Sequence, residues 1–281
     1  MRHWFVICFS DNQAKDVITM RKQYVFVDLD GTLLDHKTNQ VPPSAVKALK
    51  MAQDNGHEII LTTGRPPALF YEIDKQLGID SFIAANGRVA VYKGNIVFER
   101  AIPEDILDRL RNIAAAERLD IAYESMDDFV LESSYGDLYK TFCDHFNLRY
   151  PRLEPGYYKR HHVYQVNLFY DKDDFKRFES LIPELTFEYS CPYGIDVNTG
   201  GGFKEIGIRE IMRYKDIDIN DVIAIGDGFN DISMLRFTPN SVAMGNAHED
   251  VRKHARMVTD HIDKDGLFKA FEQLGLIQKR E

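Results

Sequence analysis

Tyr24-Val25-Phe26-Val27-Asp28-Leu29-Asp30-Gly31-Thr32 is the stretch that decides the fold. An unbroken apolar run leads straight into two carboxylates spaced two residues apart. A strand buried on both faces has this composition, and sheets covered on both faces are parallel sheets flanked by helices. Asp28 and Asp30 sit where that strand ends. Like charges so close raise each other's pKa unless something neutralises them. A divalent cation or a proton-transfer task gives a reason to keep both; an Asp/Gly-rich strand-to-loop turn is the plainer alternative.

Outward from this strand, helix and strand signals alternate. Pro42 and Pro43 open a helix with Ala45, Val46, Ala48, Leu49 and Ala52 on one face, stopped by Asn55-Gly56. Residues 58–63 read as the next strand, 66–78 as a helix begun by Pro66-Pro67, and 81–85 as a third strand ending at Asn86-Gly87. This is a parallel sheet with helical crossovers, and ligands bind such sheets beyond the carboxyl ends of the strands. Asp28, Thr63 and Asn86 all fall at such ends.

The middle of the chain changes character. Residues 89–92 and 96–99 flank Lys93-Gly94-Asn95 as a hairpin, and 186–190 with 194–198 resemble a second one. Helical stretches at 104–119, 138–146 and 173–181 and a strand at 162–170 lie between them. Parallel-sheet signals resume with a helix at 204–214, a buried strand at 221–225 ending at Gly226-Asp227, a short strand at 241–244 and further elements to 274. The expected fold class is α/β: a doubly wound, Rossmann-like parallel-sheet core of residues 22–87 and 196–281, interrupted by an α+β insert over residues 88–195.

Residues 1–21 read as an N-terminal extension. The apolar run from Trp4 to Phe9 is too short to span a bilayer and short even for a signal peptide. A start at Met20 is an alternative, since Met20-Arg21-Lys22-Gln23 leads directly into the first strand. The 281 residues are 44% hydrophobic with a formal net charge of -9, which argues against nucleic-acid and anionic-membrane partners. Cys8, Cys143 and Cys191 are too far apart for a disulfide framework or a zinc cluster, which points to a reducing cytoplasm.

Gly226-Asp227-Gly228-Phe229-Asn230-Asp231 places two more acids at the same sheet edge as Asp28 and Asp30. Hard oxygen ligands with room for water are what Mg²⁺ prefers, and the acids do not follow the ligand order of a calcium loop. Taken alone, this stretch is also compatible with a solvated turn. Thr63-Gly64-Arg65 offers a hydroxyl, a backbone N–H and a guanidinium to a phosphate, or simply connects a strand to a helix. Gly200-Gly201-Gly202-Phe203-Lys204 puts a lysine where a helix begins, the end of the dipole that disfavours cations. A nearby anion would explain it; a solvent-facing loop lysine would not need one. The triple glycine lacks the spacing and ending of a P-loop.

In this order and at these separations, the stretches resemble the four motifs of the haloacid dehalogenase superfamily. Residues 28–32 are similar to its Asp-x-Asp-Gly-Thr motif, Thr63 to the second motif, Lys204 to the third and residues 226–231 to the fourth. The position of the insert, together with Thr63-Gly64-Arg65, Ala85-Asn86-Gly87, Ala243-Met244-Gly245-Asn246-Ala247 and Asp265-Gly266, resembles the Cof-like phosphatases with a type IIB cap.

The resemblance implies Asp28 as the nucleophile and Asp30 as general acid, then base. It implies Mg²⁺ held by Asp28, Asp30 and Asp227, with Asp231 in support. Thr63, Lys204, Asn230 and the amides of Leu29 and Gly64 would cradle the phosphoryl oxygens, with Arg65 and Asn86 as possible substrate contacts. The implied function is Mg²⁺-dependent hydrolysis of small phosphorylated metabolites, sugar phosphates among them, through an aspartyl-phosphate. A phosphomutase and a non-catalytic phospho-ligand-binding protein are the alternatives. The expected partner is a small phosphorylated metabolite, with neither nucleic acid nor membrane, for a cytoplasmic monomer or homodimer. Glu205 departs from the family's glycine after the motif lysine, which puts the loop geometry there in question. In the insert, Tyr157, Tyr158, Lys159, Arg160, His161 and His162 form a basic-aromatic cluster that is either a substrate contact or an ordinary loop and strand start. Tyr193-Gly194 is a further stretch expected near the site.

Overall fold

A computed structural model describes residues 21–70, 73–200 and 203–278. The extension before Arg21, with Cys8 and the alternative start at Met20, lies outside the described residues, as do Gly201 and Gly202 of the triple glycine.

The strands in chain order are β1 (Tyr24–Asp28), β2 (Glu58–Thr62), β3 (Phe82–Ala84), β4 (Val89–Tyr92), β5 (Asn95–Glu99), β6 (Ile121–Glu124), β7 (Phe129–Leu131), β8 (Arg152–Leu153), β9 (Gln165–Leu168), β10 (Leu185–Cys191), β11 (Gly194–Thr199), β12 (Val222–Gly226), β13 (Asn240–Ala243) and β14 (Met257–Val258). They form an eight-stranded sheet in the order β14-β13-β12-β1-β2-β3-β4-β5 and a six-stranded sheet in the order β10-β11-β9-β6-β7-β8.

In the first sheet β1 lies between β2 and β12, parallel to both. Val25, Phe26 and Val27 are fully buried, as the unbroken apolar run requires. Val25 and Val27 face the layer of helices Pro43–Asp54 and Gly266–Gln273, while Phe26 faces helix Lys204–Lys215. The first of these helices buries Ala45, Ala48, Leu49 and Ala52, a stripe with helical period. The chain leaves β1 toward β2 on one side and returns as β12 on the other. That reversal opens a crevice at the carboxyl ends of β1 and β12, beside Asp28 and Gly226.

The hairpin at residues 89–99 does not open the insert. Its strands β4 and β5 extend the first sheet by antiparallel pairing onto β3. A parallel sheet can end in antiparallel edge strands, so a hairpin signal does not by itself mark a new sheet. The chain leaves the first sheet after Glu99 and returns from Thr199 into helix Lys204–Lys215, rather than at 88 and 195. The stretch read as one helix over 66–78 is described as a 3-10 turn at Pro67–Leu69 and a helix at Ile73–Gln76.

The second sheet packs one face, with Tyr123, Val166, Leu168, Phe187, Ile195 and Val197, on helix Glu104–Ala116. Its other face is apolar at Ala122, Phe129 and Leu131, where helix Leu138–His145 covers it, and polar elsewhere. No helix among the described residues is long and apolar enough to cross a membrane.

Candidate active site

The carboxyl ends of β1 and β12 bring Asp28 and the 226–231 loop together. Asp231 folds that loop on itself, its Oδ2 accepting the backbone N–H groups of Asp227 (2.9 Å) and Gly228 (2.8 Å). Its Oδ1 accepts from Lys204 Nζ at 2.5 Å, and the same Nζ donates to Asp28 Oδ1 at 2.5 Å. The side chain of Lys204 is fully buried. The anion that a lysine at a helix start called for is thus a pair of carboxylates. Burial works to lower the lysine's pKa, and the charges of Asp231 and Asp28 outweigh it and hold the pKa up. Burial, then the charge of Asp231, pushes Asp28 well above the usual carboxylate range against the pull of Lys204. Glu205 sits in the first turn of the helix, where its charge suits the dipole, and the helix begins regularly there.

Asp227 is fixed by residues the sequence reading did not assign to the site. Thr32 Oγ1 donates to its Oδ1 at 2.7 Å and Asn246 Nδ2 to its Oδ2 at 3.0 Å. Asn246 also donates to the carbonyl of Gly31 (2.8 Å) and accepts the N–H of Ile262 (3.1 Å), so it ties three loops together. Gly31 has φ +86°, and any Cβ there would run into the Asp227 carboxylate. Burial lifts the Asp227 pKa to about 6, against the Thr32 hydroxyl bond.

Oxygens of Asp28, Asp227 and Asp231 lie within 4.8 Å of one another. This donor set fits a hard divalent cation: it is all carboxylate, and Lys204 alone does not offset the burial, and then the charge of Asp231, that keep Asp28 and Asp227 raised. Both oxygens of Asp231 and both of Asp227 accept from protein donors, whereas Asp28 accepts from Lys204 through Oδ1 alone, so Asp28 has the greatest freedom to bind a metal directly. Asp30 is not in this group. Its carboxylate is held by a two-bond fork from Arg65, Nε to Oδ2 at 2.8 Å and a terminal nitrogen to Oδ1 at 2.6 Å.

Thr63, just past β2, is buried; its Oγ1 accepts the Arg65 N–H at 3.0 Å and its carbonyl accepts the Asn86 N–H at 3.2 Å. Asn230 Nδ2 donates to Asn86 Oδ1 at 3.0 Å. A Cβ on Gly64 would lie 3.1 Å from Asn86 Oδ1, so a larger residue there would press on the Asn86 amide. Ala85 and Asn86 adopt φ +47° and +52°, an unfavourable conformation for residues with a Cβ. Gly87, at φ +90°, lies against the Phe203 carbonyl, too close for any Cβ. That contact sets the start of the Lys204 helix against the end of β3.

A cavity of about 450 Å³ lies above these groups, lined by Asp28, Asp30, Gly64, Arg65 and Asn230 from the first sheet and by Glu124, Gln165, Asn167 and Asp196 from the second. The basic-aromatic cluster does not line it. Tyr157 and Tyr158 are buried in the core of the second sheet, and Lys159 pairs with Glu104 (2.8 Å) and Asp108 (2.7 Å). Arg160 pairs with Glu154 and His162 with Glu99. Tyr193 and Gly194 likewise pack near Phe142 instead of lining the cavity. Pairing with neighbouring acids accounts for Lys159, Arg160 and His162.

The profile of the haloacid dehalogenase-like hydrolases matches residues 25–271. The chain is 30% identical to YkrA of Bacillus subtilis, a protein named as a candidate phosphatase, over 92% of this chain and all of that one. Among solved structures, a hypothetical protein from Geobacillus kaustophilus superposes with a TM-score of 0.87 at 33% identity, covering 92% of this chain and 100% of its own. The sugar phosphatase BT4131, described as subclass IIB of the superfamily, does so with a TM-score of 0.75 at 30% identity, covering 91% and 100%. The chain belongs to the haloacid dehalogenase-like hydrolases.

Proposed function

We propose that this chain is a Mg²⁺-dependent phosphatase of small phosphorylated metabolites, acting through an aspartyl-phosphate on Asp28. The observation that carries this reading is the buried Lys204 ammonium bridging Asp28 and Asp231 at 2.5 Å each, beside the carboxylate of Asp227. The names of similar proteins, BT4131 as a sugar phosphatase among them, support it.

In this reading an oxygen of Asp28 attacks phosphorus, and the bond from phosphorus to the ester oxygen breaks. Asp30 gives its proton to the departing oxygen. Arg65 now holds the Asp30 carboxylate by two bonds, so an ester that draws the guanidinium away frees Asp30 for that task. Asp30 then takes a proton from the water that splits the acyl phosphate and returns Asp28. Lys204, the Thr63 hydroxyl, the Asn230 amide and the N–H groups of Leu29 and Gly64 hold the phosphoryl oxygens. Asp28 and Asp227, with Asp231 holding their loop, would bind Mg²⁺, which would supply charge neutralisation for the transferring group. The first sheet serves as the core and the second as a cap that keeps bulk water out. A reducing cytoplasmic setting agrees with the unbridged, buried Cys143 and Cys191.

The test is hydrolysis of p-nitrophenyl phosphate. Turnover is expected with Mg²⁺, loss with EDTA, recovery when Mg²⁺ is returned, and a loss of at least about a thousandfold in Asp28→Asn with the far-ultraviolet spectrum unchanged. Metal-independent turnover, or an active Asp28→Asn protein, would refute the reading.

A further inference from the structure

The polar part of the second sheet has no role in the phosphoryl transfer just described. Strand register places Glu124 opposite Gln165 and Asn167 opposite Asp196, all on the face turned away from the apolar layer. All four line the cavity that Asp28 and Asp30 line from the other side.

Glu124, Gln165 and Asn167 are only 3%, 4% and 2% exposed. Asn167 Nδ2 donates to Asp196 Oδ1 at 2.9 Å, and the Gln165 and Asn167 side chains lie close enough to Glu124 to draw its pKa down. The Asn167 nitrogen is therefore directed at a carboxylate. What is left over is acceptors: Glu124 Oε2, Gln165 Oε1 and Asn167 Oδ1 have no partner among the described residues. Buried acceptors left unpaired are destabilising, and in native proteins such groups call for an explanation. A ligand rich in hydrogen-bond donors provides one.

Charge narrows the ligand further. Two carboxyl groups share this face, and the nearby Arg88 directs its terminal nitrogens to the main-chain carbonyls of Ala85 (3.1 Å) and Thr199 (2.7 Å). Burial, then the neighbouring acid Asp196, pushes Glu124 well above the usual carboxylate range, and burial lifts Asp196 to about 6. Arg88 pulls both acids down without offsetting their burial, and a neutral polyol would satisfy the acceptors while adding no positive charge to the face. A protonated amine supplies donors and a positive charge together.

We propose that Glu124, Gln165, Asn167 and Asp196 form the specificity surface for the leaving group, and that it selects phosphate monoesters whose alcohol carries a protonated amine. The phosphoryl end of such a ligand rests on the phosphatase reading above; the amine end rests on this surface alone.

Calorimetry separates the two. Binding of glucosamine 6-phosphate and glucose 6-phosphate, which differ by one amine for one hydroxyl, is measured with Mg²⁺ below the pKa of the amine. The Asp28→Asn protein is used so that no ester is consumed. The amine ester is expected to bind about tenfold more tightly. The preference should fall below about threefold when Glu124→Gln or Asp196→Asn is added. Each preference is a ratio within one protein, so a poorly folded variant lowers both affinities together and leaves the other variant to decide. Equal binding of the two esters, or a preference unchanged in both variants, overturns the proposal. Should the unaltered chain turn over p-nitrophenyl phosphate without any amine preference, only this inference fails. An amine preference in a chain that hydrolyses no ester sinks only the phosphatase reading.

Discussion

Lys204 carries the greatest burden of any single side chain. It is buried without solvent contact, and two carboxylates depend on it. Removing one partner from a buried charge network leaves the others uncompensated. Lys204→Met is therefore expected to lose about 3 kcal/mol or more of stability in urea titrations and all measurable phosphate release. A variant of parental stability would show that Asp28 and Asp231 do not need the ammonium. Asp196 works in the opposite sense. Its folded pKa of about 6 lies above the ordinary 3.8, mainly through burial, so ionising it disfavours the fold. The penalty is absent at pH below the unfolded value and grows as pH rises through about 6. Asp196→Asn cannot ionise. It should exceed the parent in stability at neutral pH by on the order of 1–2 kcal/mol, discounted for partial solvent access, and match it near pH 4. Denaturation at both pH values checks the sign; a variant less stable at neutral pH would contradict it.

At the scale of elements, strand ends do the positioning, and they divide what the sequence discloses from what it hides. The β1 and β12 motifs are legible because each is a contiguous apolar run closed by acids, and burial on both faces forces that composition. Thr32 and Asn246 were harder to read as site residues, because their role is a contact across more than 190 positions in one case and 19 in the other. A polar side chain shortly past β13, at the same edge of the sheet as Asp28, was the available signal. The strand Ile121–Glu124 also went unread, being four residues long and ending in an acid. Yet the alternation Gln165-Val166-Asn167-Leu168 was present in the sequence, and its period of two places both amides on one face. The tie through Asn246 gives a prediction at this scale. Asn246→Ala frees one oxygen of Asp227 and the Gly31 loop, so the Mg²⁺ concentration for half-maximal activity should rise about 10–100-fold while activity at saturating Mg²⁺ changes far less. An unchanged metal requirement would mean that Asp227 needs no such support.

The described residues form two sheets that both contribute to the lining of the cavity holding Asp28, with phosphoryl chemistry proposed for one wall and leaving-group selection for the other. The sequence disclosed that there were two parts but misplaced the seam, because an edge hairpin belongs to whichever sheet it pairs with. It could not disclose that the Arg65 fork holds Asp30, since that contact joins two loops across 35 positions. The central claim is that phosphorus is transferred to Asp28 before it reaches water. Rapid acid quenching during turnover of a phosphate ester with Mg²⁺, reduction with borohydride and peptide mass spectrometry test it directly. An acyl phosphate at Asp28 is predicted to appear as homoserine at position 28, absent when ester or Mg²⁺ is withheld. Modification at another residue, or sustained turnover with Asp28 never altered, would contradict the account.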